Sequence, residues 1–95
     1  MEGINVKKIS EFFKTLGHPV RLTIVLKLLD GKKCVSNLEE LIKARQPNIS
    51  QHLRLLKLNE IVDWKQEGKM RCYFLKNPKL IRNILNLFGK PEGGR

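Results

Sequence analysis

At 95 residues the chain has room for one hydrophobic core, so residues 1–95 read as a single domain. Nineteen Lys and Arg against nine Asp and Glu leave a net charge of +10, a field that gathers polyanions, nucleic acid first among them. Two cysteines exclude a disulfide-stapled secreted scaffold, Met1–Ile9 lacks a signal peptide's apolar run, and short apolar stretches such as Ile24–Val25–Leu26 exclude a membrane-spanning helix; the expected compartment is the cytoplasm.

Asn5 is placed to cap a first helix, in which Val6, Ile9, Phe13 and Leu16 recur at helical spacing with Phe12 beside them, up to Gly17. His18 then serves as a cap and Pro19 fits the first position of a second helix, running to Asp30 before Gly31. That helix is apolar nearly all round and belongs at the centre of the fold. Ser36–Asn37–Leu38–Glu39 reads as a capping box opening a short third helix, with Leu38, Leu41 and Ile42 inward. Gln46–Pro47–Asn48 opens a fourth, which runs to about Asn59. The short gap between the third and fourth is that of a helix-turn-helix.

From Ile61 the period changes. Ile61–Lys65 and Met70–Lys76 predict two strands, with Gln66–Glu67–Gly68–Lys69 turning between them. Asn77–Pro78 starts a fifth helix that carries Ile81, Ile84, Leu85 and Phe88 on one face and ends at Gly89 and Pro91, leaving residues 90–95 as a frayed tail. The predicted class is mainly α with a β-hairpin wing, in the order α-α-α-α-β-β-α: a winged helix-turn-helix.

On the fourth helix Ile49, Leu53 and Leu56 share one face and should enter the core. Gln51 and Arg54 point the other way with Ser50 flanking, and Gln46 and Asn48 sit at the end that enters the major groove first. Gln and Asn suit adenine N6 and N7, and Arg suits guanine O6 and N7. Residues 43–57 carry four Lys or Arg and no acid. His52 lies at the edge of the buried face, within reach of DNA or backbone. In the wing Lys65, Lys69 and Arg71 flank the turn and are expected on phosphates, with Asp63 and Glu67 diluting their charge. Trp64 and Tyr73 are expected to pack the wing against the core. Leu55 and Leu58 point partly outward, towards either a tilted packing or the hairpin.

These residues carry a pattern. Leu16–Gly17–His18–Pro19–Val20–Arg21–Leu22 resembles the opening signature of the ArsR/SmtB family of regulators. The segment from Gln46 to Leu56 resembles its recognition helix, and Glu67–Gly68–Lys69 followed by Tyr73–Phe74–Leu75 its wing. The resemblance implies a homodimer joined through the first and last helices, repression by occupying a promoter, and release by an effector, often a metal or metalloid ion and in some members a sulfur or redox species. Three departures stand out. Arg45 replaces the usual small cap. Glu60 stands where the family has Gly, so Asn59 or Glu60 must take a left-handed turn, and Asn59 is the easier candidate. Cys34–Val35–Ser36 stands where metal sensors of the family carry Cys-Val-Cys. Residues 78–95, with no His and one acid, offer no second metal site, so neither a metal nor a cofactor is expected.

Winged helices often place a short strand just before the third helix, pairing with the second wing strand. That arrangement would bring Cys34 near Cys72. The pair reads as two buried apolar side chains, as a redox or persulfide couple, or as two ligands of an incomplete metal site.

The apolar residues Phe12, Phe13, Ile81, Ile84, Leu85 and Phe88 exceed what two terminal helices need for so small a core, and are expected to join two copies. The expected function is sequence-specific binding of double-stranded DNA as a homodimer on an imperfect palindrome, as a transcriptional repressor. A protein-interaction winged helix is the alternative, disfavoured by the basic fourth helix. Two histidines without a nucleophile–base spacing or phosphate loop argue against an enzyme.

Overall fold

A computed structural model describes residues 3–42 and 48–89. The elements run α1 (Val6–Leu16), α2 (Pro19–Leu28), β1 (Lys33–Cys34), α3 (Val35–Leu41), α4 (Ile49–Leu58), β2 (Val62–Glu67), β3 (Met70–Leu75) and α5 (Pro78–Asn86). This is a winged helix-turn-helix. The strands form one antiparallel sheet in the order β1-β3-β2.

Local chemistry sets most boundaries. The Asn5 side chain accepts from the Lys8 N–H at 3.0 Å and starts α1. His18 Nδ1 accepts from the Val20 N–H at 3.1 Å, with Pro19 in the first turn of α2. Asn77 accepts from the Leu80 N–H at 3.0 Å and starts α5 before Pro78. Each cap satisfies a donor that the first helical turn leaves unpaired.

The third helix departs from expectation. It begins at Val35 with Cys34 as its cap residue, so Ser36 lies inside the first turn and the capping box does not form. Pairing of Cys34 with β3 sets the start of the helix ahead of the local Ser signal. Leu41, expected inward, is exposed, while Leu38 and Ile42 are buried.

The core gathers Ile24, Val25 and Leu28 of α2, Leu38 of α3, and Ile49, Leu53 and Leu56 of α4. Val62, Tyr73 and Leu75 of the sheet and Ile81 of α5 close it. Burying each such aliphatic side chain contributes on the order of 1.5–3 kcal/mol. Spacing along α4 therefore decides that its opposite side faces outward.

Two turns aim the wing. Glu60 takes φ 59° between α4 and β2, whereas Asn59 stays at φ −93°, the reverse of the expected assignment. The Asn59 side chain instead donates to the Leu55 carbonyl at 3.0 Å, which holds it to the helix end. At the tip Glu67 pairs with Met70 in register, and Gly68 takes φ 63° in a turn shorter than the one predicted.

Candidate nucleic-acid interface

Because α4 buries Ile49, Leu53 and Leu56, the side chains of Asn48, Ser50, Gln51 and Arg54 stand exposed. They form one wall of a concave surface; Trp64, Lys69, Arg71 and Tyr73 of the wing form the other, and Val35 and Ser36 its floor. Lys57 also lines it, a residue the sequence reading had not singled out. Its signal was the Arg54 to Lys57 spacing, one turn apart on the same side. Among the described residues, four cations and no acid line this groove. The acids expected to dilute the wing's charge are each paired, Asp63 with Lys57 at 3.7 Å and Glu67 with Lys32.

Asn48 Nδ2 donates to Gln51 Oε1 at 2.5 Å. The pair leaves Asn48 Oδ1 as an acceptor and Gln51 Nε2 as a donor, the complement that an adenine edge requires. Arg71 lies over the Trp64 ring, its guanidinium carbon 3.9 Å from the centroid. Stacking orders a long cationic side chain while leaving its N–H groups free. Trp64 thus packs partly on the core, as expected, and also carries Arg71.

Two predicted residues stand apart from this groove. Lys65 alternates with Trp64 along β2 and lies on the other face of the hairpin, its Nζ 5.7 Å from the Phe74 centroid. His52 turns toward α2, where its ring centroid is 4.6 Å from that of His18 and Arg21 Nη1 donates to its Nδ1 at 3.3 Å. Arginine has no acceptor, so Nδ1 must be the unprotonated nitrogen. Burial first, then the neighbouring His18 and Arg21, hold the His52 pKa below its ordinary value of 6.5. Gln46 lies outside the described residues.

Cys34 and Cys72 stand directly opposite in the β1–β3 register and are joined by a disulfide. Cys72 is fully buried and Cys34 half-buried. Among the described residues no three His, Cys, Asp or Glu side chains are grouped to hold a metal ion.

A second surface lies along α1 and α5. Ile9, Phe12, Phe13, Leu58, Leu80 and Ile84 line an apolar groove there. Of the six residues predicted to join two copies, Phe12, Phe13 and Ile84 line it. Phe88 is 82% exposed beyond the end of α5, and Leu85 packs on the core. Ile81 corrects the prediction: it is 3% exposed and serves its own core, because it follows the Asn77 cap by one turn and faces inward. Leu58, left unplaced by the helical wheel, faces α1 rather than the hairpin.

The sequence pattern described as "Bacterial regulatory protein, arsR family" matches residues 18–63. An HTH-type transcriptional regulator of Methanocaldococcus jannaschii is 37% identical over 83 residues, 85% of this chain and 91% of that one. The chain belongs to the ArsR family. Its members are transcriptional regulators and not enzymes. Among solved ArsR-family structures, the transcriptional repressor BigR from Xylella fastidiosa superposes with a TM-score of 0.76 at 31% identity, covering 92% of this chain and 91% of that one. HlyU from Vibrio cholerae superposes with a TM-score of 0.78 at 27% identity, covering 94% and 98%. Among the described residues, no helix is long and apolar enough to cross a membrane.

Proposed function

We propose that this ArsR-family regulator represses transcription as a homodimer that reads an imperfect palindrome in double-stranded DNA through α4 and the wing. The observation that carries the reading is the shared groove: Asn48, Ser50, Gln51 and Arg54 open into the same concavity as Lys69 and Arg71, which no acid lines among the described residues. The helix wall supplies base-edge chemistry and the wing supplies phosphate charge. Repression is supported by the likeness to the transcriptional repressor BigR. Cytoplasm is the compartment that this role implies.

The dimer is supported by the apolar groove of α1 and α5, which a second copy related by a two-fold would cover. Two copies so joined set their α4 helices toward successive major grooves, about 34 Å apart. The protein-interaction alternative is disfavoured because the outward side of α4 from Asn48 to Arg54 is polar.

The test is selection of bound duplexes from a random pool, followed by titration at rising salt. An inverted repeat with half-sites about one helical turn apart is expected. Affinity should fall by orders of magnitude between about 50 and 200 mM salt while sequence preference persists. Enrichment of no sequence would sink the reading.

A further inference from the structure

We propose that Cys34 and Cys72 form a reversible dithiol–disulfide couple that sets the width of the groove between α4 and the wing. The idea rests on the groove being the DNA site for its consequence, though not for its chemistry.

β1 is two residues long, and its register with β3 consists of Lys33 with Tyr73 and Cys34 with Cys72. So short a ladder is the weakest joint between the wing and the helix-turn-helix; the β2–β3 ladder pairs six residues on each strand. The covalent link falls at this joint. Its chain neighbours line the groove on both sides: Val35 and Ser36 follow Cys34, and Arg71 and Tyr73 flank Cys72. Cys34 is also the residue that begins α3. The disulfide therefore ties the floor of the groove to its wing wall, across 38 residues of chain that include all of α4.

Access to the two sulfurs is unequal. Cys72 is fully buried, while Cys34 is half-buried at the sheet edge. A thiolate of a dithiol reductant reaches Cys34 Sγ, forms a mixed disulfide there and releases Cys72 as a thiolate, which takes up a proton. The reductant's second thiolate then displaces Cys34 Sγ, which is protonated in turn, and the reductant leaves as its own disulfide. Two electrons pass to the protein. A small-molecule disulfide, reduced to two thiols, reverses the sequence. In a reducing cytoplasm such bonds are usually transient and responsive rather than structural. Oxidation holds Arg71 and Tyr73 against the α3 end; reduction leaves the wing held there by the two-residue ladder and core packing alone.

The test compares wild-type protein equilibrated with glutathione disulfide and with dithiothreitol, followed by removal of each. Thiol alkylation and mass spectrometry should show both cysteines blocked in the first and free in the second. Amide exchange should quicken across residues 33–34 and 70–75 on reduction, with α1 and α2 unchanged. The selected operator duplex should bind the disulfide form at least about fivefold more tightly. Cys34→Ser and Cys72→Ser should be indifferent to both treatments. Thiols that stay free in glutathione disulfide, or equal wing exchange in the two wild-type forms, would overturn the couple. Changed exchange with unchanged operator affinity, in a protein that still loses affinity on Arg54→Ala, would overturn its link to the groove. The exchange readout needs no DNA, so failure of the DNA reading shows up separately.

Discussion

The molecule presents two concave surfaces of opposite character. Among the described residues, the groove between α4 and the wing is lined by four cations with carboxamides and hydroxyls, whereas the groove of α1 and α5 carries leucine, isoleucine and phenylalanine side chains, among them Ile9, Phe12, Phe13 and Leu58, with polar and charged residues beside them. Both arise from amphipathic helices, yet the helices differ in what their inner faces achieve. The inner face of α4 is fully buried at Ile49, Leu53 and Leu56, so its outer face is free to be polar. Helix α5 buries Ile81, half-buries Ile84 and Leu85 and leaves Leu80 exposed, with Leu87 and Phe88 exposed just past its end. The inner face of one helix is covered within the chain, while the other surface leaves apolar side chains uncovered.

The largest expected effect comes from charging the groove of α1 and α5. Phe13→Asp places a carboxylate in the groove where the second copy is proposed to sit, at a cost of several kcal/mol if the dimer forms. Size exclusion at micromolar concentration should show monomer in place of dimer, and operator affinity should fall more than about 100-fold. A dimer that persists in this variant would assign the groove another role.

Next in size is Arg54→Ala, on the reading wall. It should weaken the operator complex by about 1–3 kcal/mol and relax preference at one base position, while leaving the dimer intact. Unchanged affinity would remove Arg54 from the reading face. Lys69→Ala should act more weakly and alike on every duplex, lowering the slope of log affinity against log salt by about 0.9. A loss confined to the operator would show that the wing reads sequence.

The smallest effect concerns neither groove but the contact behind α4. His52 holds its pKa below the ordinary value in the fold, so the native chain binds fewer protons there than the unfolded chain. Its contribution to stability is present above an unfolded pKa of about 6.5 and is lost as pH falls through the lower folded value. The urea midpoint should decline between about pH 7.5 and 5, and His52→Gln should flatten that decline. An equally steep decline in the variant would place the titration elsewhere.

Much of this was legible in the residues. The caps Asn5, His18 and Asn77, the helical spacing in α4 and the glycine at the wing tip are local signals, and the structure uses each of them. The third helix was misread at its start, because the Ser36 box competes with a strand pairing 38 residues away that no local pattern encodes. Ile81 was assigned outward for a related reason. A helical wheel shows which residues share a face, but not which part of a broad apolar face the chain's own core occupies. His52 and Lys65 were drawn toward DNA by chain position and charge. Contact with Arg21 turns one away, and strand alternation turns the other.

By itself the sequence determined the class of fold, the polar side of α4 and the cationic surplus, since periodicity, capping and charge act over a few residues. The tertiary structure decided which cations share a groove, that Arg71 lies on Trp64, that Glu60 rather than Asn59 takes the left-handed turn, and that Cys34 meets Cys72. Each of these depends on strand register or on competition for core space, and both are settled by residues distant in the chain that come together only when it folds.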